Sequence, residues 1–212
     1  MAKNFPFLGY IALFSYFLPA VYGIRFWKAL SSPMKFFAVF CITSLLFVLA
    51  EHSMAMLNIH NLRFGDFFLV IEFICLIYLF RKITVRQVVR DMLQIIGMGF
   101  ILYWFLEMSF LTVSTQFQET VMIAEHLLFI AASILTLSEI SENSEHSLFK
   151  HSMAWIAAGV LLYSAGTISV ISMGNSLLKL GANNFTLMWN INWVMALLTN
   201  LFYSRSFTCK IF

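Results

Sequence analysis

The sequence predicts an all-α polytopic membrane protein: a bundle of seven transmembrane helices with its N-terminus outside and its C-terminus in the cytoplasm. Three observations predict it. Of 212 residues, 61% are hydrophobic and only 11% are charged, with a mean hydropathy of +0.86; soluble domains carry about 25% charged residues. Seven apolar runs approach the roughly 20 residues that a bilayer crossing needs. Lysine and arginine gather in alternate connections between those runs. Lipid is therefore the expected solvent. No polar segment is long enough to fold alone, so residues 1–212 are expected to form a single transmembrane domain.

The spans follow in order. Phe5–Ile24 comes after Lys3, contains Pro19 and ends at Arg25-Phe26-Trp27-Lys28 with no small-residue cleavage site. It reads as a retained first span rather than a cleaved signal. Phe36–Leu57 is the second. Phe67–Phe80 is the shortest; it extends upstream through Leu62 and Phe64 or sits in thinned bilayer. Met92–Val113, Val121–Leu137, Met153–Met173 and Phe185–Tyr203 complete the set. Backbone groups in hydrocarbon must be satisfied within their own segment, so each is a helix. The connections are short, which predicts antiparallel neighbours.

Orientation follows from the cations. The first connection holds Arg25, Lys28 and Lys35; the third holds Arg81, Lys82, Arg86 and Arg90; Arg205 and Lys210 follow the last span. The second has only Arg63, the fourth none, the sixth only Lys179. The fifth connection, Ser138–Lys150, carries Glu139, Glu142 and Glu145, but acidic residues weigh little in this rule. Ala154 with Ala158, and Ala165 with Ser169, are candidate small-residue contacts on the sixth span. Trp27, Trp104, Trp155, Trp189 and Trp193 lie near span ends or within their outer thirds, and some are expected to be interfacial anchors. The basic Arg81–Arg90 segment reads as a topogenic loop on the inner leaflet and not as a nucleic-acid patch. Cys41, Cys75 and Cys209 have no metal-type spacing.

Ionisable groups inside the spans are the candidates for function. They cost about 2.5–3.5 kcal/mol on insertion scales, so they face a protein interior or a wet cavity. The dipeptide Glu51-His52 lies in the second span and recurs as Glu125-His126 in the fifth. By the expected topology Glu51 lies roughly 9 Å from the outer end of its helix, at 1.5 Å per residue. Glu72, Glu107, Glu125, Asn190 and Asn192 fall in the same outer third, so the candidate ligand-binding set is Glu51, His52, Glu72, Glu107, Glu125, His126, Asn190 and Asn192. Ser44, Glu51 and Asn58 recur every seven residues on one face. On the seventh span Asn192 shares a face with Thr199, and Trp193 with Asn200. His60, His146 and His151 are expected to be solvated.

Four carboxylates and two histidines at one depth admit several chemistries. Imidazole and carboxylate could hold a metal, although Glu-x-x-His, the usual di-iron arrangement, is absent. Bis-histidine haem ligation by His52 and His126 is geometrically open. Buried carboxylates could handle protons or cations. They could line an outward-open pocket for a ligand, or only hydrogen-bond helices together. Other classes fall away. A retinal protein needs a lysine in its last span, and Phe185–Tyr203 has none. Seven-helix hydrolases of the ceramidase type need a late His-x-x-x-His pair, and the last two spans hold no histidine. No nucleotide-binding loop or Ser-His-Asp arrangement is visible, so no catalytic site is expected.

Three stretches carry a resemblance: Val70-Ile71-Glu72-Phe73; Trp155 to Gly166 through Ala157-Ala158-Gly159; and Asn190 to Cys209, with Asn200-Leu201-Phe202-Tyr203 and Phe207-Thr208-Cys209. Together they resemble a family of small seven-helix inner-membrane proteins of Bacteroidetes-type bacteria, some of which look like the membrane halves of sensor histidine kinases. The family usually has Pro and Phe just before the tryptophan of the sixth span; here His151-Ser152-Met153-Ala154 precedes Trp155. The resemblance implies a sensory module in the bacterial inner membrane. Because little sequence follows the last span, output is expected through a cytoplasmic signalling partner or a homo-oligomer. The expected function is thus a sensory, ligand-binding membrane module. The alternative is a small transporter handling protons or cations, and a third reading is a metal- or haem-bearing redox protein.

Overall fold

A computed structural model describes residues 6–57, 59, 62–110, 119–143, 147–173 and 182–209; side chains at 62–63, 110, 119 and 182–187 lie outside the description. The described chain is helical. Seven helical segments run α1 (Phe7–Arg25), α2 (Ser32–Met56), α3 (Leu62–Ile83), α4 (Gln87–Phe110), α5 (Glu119–Asn143), α6 (Ser152–Ile171) and α7 (Ala182–Ser206), with short 3-10 turns at Trp27–Ala29 and Leu148–Lys150. Five are long and apolar enough to cross a membrane: α1, α2, α6 and the stretches Gln87–Ser109 of α4 and Thr120–Asn143 of α5. Of the other two, α3 carries Asp66, Glu72, Arg81 and Lys82 along its length. It is also longer than the apolar core Phe67–Phe80 suggested, growing a turn at each end.

Proline explains the interruption of α1. Pro19 offers no N–H to the carbonyl of Ser15, and α1 breaks at Tyr16 between Phe7–Ser15 and Phe17–Arg25. Pro33 instead sits in the first turn of α2, where a missing N–H costs nothing.

Successive helices are antiparallel, and contacts between their ends fix which ends coincide. At the end rich in Lys and Arg, Gly23 abuts Ala38 and Phe207, Arg205 lies over the Trp155 ring, and Glu139 reaches the backbone of Val85. At the opposite end Tyr10 meets the His52 ring edge-on at 5.7 Å. The packing forms a closed circuit: α1 against α2, α2 against α3, α3 against α5, α5 against α6, α6 against α7, and α7 back on α1. Helix α4 stands outside it, packed mainly on α3 through Gly97 beside Ile77 and Phe100 beside Phe73. Only 17% of the apolar window of α4 is buried against 50% for α6, so α4 presents most of its surface to the surroundings. The core of the circuit is aromatic towards the basic end, with Phe37, Phe80, Tyr203 and Phe207 buried together. Phe37 sits edge-on to Tyr203 at 4.9 Å and stacks on Phe207 at 5.6 Å.

Two expectations need correction. Ala165 and Ser169 are exposed and make no helix contact surface. The close approach of α6 to α7 is made by Gly159 and Gly166: a Cβ at Gly159 would stand 3.0 Å from the Tyr203 ring, and one at Gly166 would overlap Met195. Glycine removes the side chain that keeps backbones apart, which a pattern of alanines does less well. The connection expected over Ser138–Lys150 is also shorter, because α5 continues to Asn143. Glu139 accepts the backbone N–H groups of Val85 at 3.0 Å and Arg86 at 2.7 Å, at the entry to α4. Glu142 pairs with Arg86 and accepts from Ser138 Oγ at 3.1 Å. Glu139 and Glu142, two of the acidic residues that ran against the charge rule, are a clamp on the basic turn between α3 and α4, and Glu145 lies outside the described residues.

Candidate functional site

The site is assembled by aromatic packing that sets four helices side by side. Phe47 of α2 packs against Phe64 and Phe68 of α3, at 4.7 and 4.6 Å. One turn further along α2, away from the basic end, is Glu51, which lies against Gly65; one turn further along the antiparallel α3 from Phe68, towards the basic end, is Glu72, so Glu72 stands roughly 10 Å deeper at 1.5 Å per residue and not at the depth the sequence suggested. Phe73 of α3 meets Phe129 of α5 at 5.6 Å, and one turn before Phe129 is Glu125. His126 then ties α5 to α6: its Nδ1 lies 3.3 Å from Ser164 Oγ, and its ring meets Tyr163 edge-on at 5.7 Å. Rows of Phe thus fix the register, and the residue next to or one turn from each Phe is the polar one.

Glu51, Glu72 and Glu125 thus stand at staggered depths on α2, α3 and α5, with α3 packed against both of its neighbours. Tyr16 lies at the break in α1, and the Tyr163 ring of α6 meets His126, the residue next to Glu125. Glu51 and Glu72 are partly buried, whereas Glu125 is 2% exposed. The Glu51 carboxylate lies against Gly65, where a Cβ would come within 2.9 Å of Oε1; a larger residue there would push the carboxylate aside. Glu125 Oε1 is buried without a hydrogen-bond partner. Native structures leave few buried polar atoms in that state.

The remaining predicted residues separate from this cluster. Glu107 lies on the outlying α4 and accepts from Tyr103 on its own helix at 3.1 Å. Asn192 accepts from Thr167 Oγ1 at 2.8 Å, binding α7 to α6. Asn190 is partly buried near the same end of α7. His52 packs on Tyr10 and His126 on Ser164, so the two histidines face different neighbours. The polar line of α7 serves packing too: Thr199 donates to the Gly159 carbonyl at 3.1 Å and Asn200 to Ser15 Oγ at 2.8 Å. Asn58, His60 and His146 lie outside the described residues, while His151 is partly buried as the residue preceding α6.

Among the described residues no three His, Cys, Asp or Glu side chains stand close enough to hold a metal ion. Sequence reasoning missed Tyr16, Tyr163, Ser164 and Gly65. The only available signal was a hydroxyl pair, Tyr163-Ser164, in the middle of an apolar run. No protein-family model, curated protein or solved structure matches the chain.

Proposed function

We propose that the chain is a multi-pass membrane protein that binds a ligand from the side opposite its Lys and Arg clusters and reports occupancy to a partner at the basic face. The bacterial inner membrane is the setting this reading assumes, with α3 and α7 completing seven crossings. One observation carries it. Carboxyls from α2, α3 and α5 lie on one side of the buried aromatic rings that close the basic end, and one of them, Glu125, is buried with an oxygen that no donor reaches. Carboxyls are costly to hold in an apolar bundle and are kept where they act on something. The basic-end half supports binding over passage, because its buried hydroxyls are mostly bonded to backbone: Thr84 to Phe80, Thr136 to Ala132, Ser204 to Asn200 and Ser206 to Tyr203.

The alternative, proton or cation transport, is separated from binding by flux. The protein is reconstituted into vesicles and proton and potassium movement is followed with a pH dye and a potassium electrode. Binding without transport predicts vesicles no leakier than empty ones. Flux above that baseline that disappears in Glu72→Gln overturns the sensory reading in favour of the transporter.

A further inference from the structure

The three carboxyls differ in what they lack. Glu51 is already engaged and packs on Gly65. Glu72 and Glu125 stand apart from it: they lie on the neighbouring α3 and α5, each within about one turn of the Phe73 and Phe129 rings that meet at 5.6 Å, and Glu125 Oε1 is buried with no donor. The described spans supply no fixed cation to answer them. Residues 7–24, 36–57, 64–80, 119–143, 152–171 and 182–204 contain neither lysine nor arginine. Arg63 is about two and a half turns from Glu72 along α3, roughly 13 Å at 1.5 Å per residue, and its side chain lies outside the described ones. His126, beside Glu125, is turned to Ser164 and Tyr163.

Four features narrow what could complete the pair. Two acidic groups call for positive charge and exclude an anion. The absence of a three-ligand cluster among the described residues argues against a bare metal ion. An orphaned carboxyl oxygen needs a hydrogen-bond donor, so charge alone is insufficient. Tyr163, whose ring meets that of His126 beside Glu125, brings an aromatic ring of the kind that attracts organic cations.

We propose that Glu72 and Glu125 bind the N–H-bearing head of a protonated amine, an organic ammonium that donates to Glu125 Oε1 and rests beside Tyr163. This deepens the ligand-binding reading and depends on it. A quaternary ammonium has the charge but no N–H, and potassium has neither donor nor directionality, so the three cations form a graded test.

The full chain, purified in nanodiscs, is titrated with ethylammonium, tetramethylammonium or potassium chloride at constant ionic strength, and the melting temperature is followed by tryptophan fluorescence. Ethylammonium is expected to raise it saturably, the other two to leave it unchanged, and Glu72→Gln to weaken the ethylammonium midpoint at least tenfold. Glu142→Gln, at the basic end, is expected to respond as the wild type does. Equal responses to all three cations, no response to ethylammonium, or a response indifferent to Glu72→Gln overturns the ammonium assignment; the wild-type comparison stands even if the variant does not fold. The pocket itself has a separate readout. In a background with Cys41, Cys75 and Cys209 replaced by alanine, Glu125→Cys should react with a methanethiosulfonate reagent added from the side opposite the basic face. Labelling without ethylammonium binding sinks the ligand class alone, and absence of labelling sinks the pocket.

Discussion

Two sets of glutamates occupy the two ends of this bundle, and they are held in opposite ways. At the basic end Glu139 is buried and accepts two backbone N–H groups, while exposed Glu142 pairs with Arg86. Away from it Glu125 is as deeply buried and has an oxygen with no donor. The same side chain is a completed joint in one place and an incomplete one in the other. Residue type and burial therefore do not separate structure from function here; satisfaction does. A carboxylate whose acceptors are filled holds the fold, and removing it leaves its donors exposed or unpaired. One whose acceptor is empty strains the fold unless something outside the chain fills it.

The comparison is tested hardest at Glu139. Glu139→Ala removes both hydrogen bonds that α5 makes to the backbone at the entry to α4. Bonds to charged groups contribute about 1.5–3 kcal/mol each, and the freed N–H groups of exposed Val85 and Arg86 can turn partly to water, so a loss of about 2–3 kcal/mol is expected. Denaturation of the purified protein in mixed micelles measures it. A loss below about 0.5 kcal/mol would remove the basic-end half of the contrast. The folded variant is still expected to respond to ethylammonium.

Glu139 also marks where the sequence stopped being informative. The fold class, the alternation of cationic connections and five clearly apolar spans follow from composition and periodicity, because lipid imposes length and internal hydrogen bonding on every crossing. That Glu51, Glu72 and Glu125 sit inside apolar helices was legible as well, but their relative depth was not: α3 begins at Leu62, ahead of its apolar core, so Glu72 stands about two turns deeper than Glu51, which lies against Gly65. Nor was it legible which helices are neighbours. That order placed α4 outside the circuit, where Glu107 finds Tyr103 on its own helix. Asn192 had the right depth and a face shared with Thr199, yet Thr167 claims it. The role of Glu139 depends on a contact between residues more than fifty apart, which no local pattern carries.

Asn200 tests the polar joints between helices. Asn200→Ala removes the donor to Ser15 Oγ where α7 closes against the broken α1. Ser15 keeps its own bond to the Ala12 carbonyl at 2.6 Å, so no hydroxyl is orphaned and the cost is expected to be about 1–2 kcal/mol, read by the same micelle denaturation. Asn200→Ser should restore part of it. A smaller effect is expected from Arg86→Ala. That ion pair is exposed on both sides, and such pairs contribute about 0.2–1 kcal/mol, screened by salt. A variant that loses more than Glu139→Ala would transfer the clamp from the backbone bonds to the ion pair.

The smallest change in stability carries the most information. Glu125→Gln keeps the shape of the side chain, and its amide brings a donor of its own into a place where the carboxyl oxygen had none to accept. Changing an oxygen that accepts no hydrogen bond breaks none, unlike changing a satisfied one, so the effect is close to neutral. The expected outcome is a shift within about 0.5 kcal/mol of the wild type or a gain of up to about 1 kcal/mol, with the ethylammonium response lost. Such a trade of stability against binding is what an acceptor reserved for a ligand should show. A loss of about 2 kcal/mol or more, the size predicted for Glu139→Ala, would mean that Glu125 is as structural as its counterpart at the basic end. Both ends of the bundle would then be held by the same kind of joint.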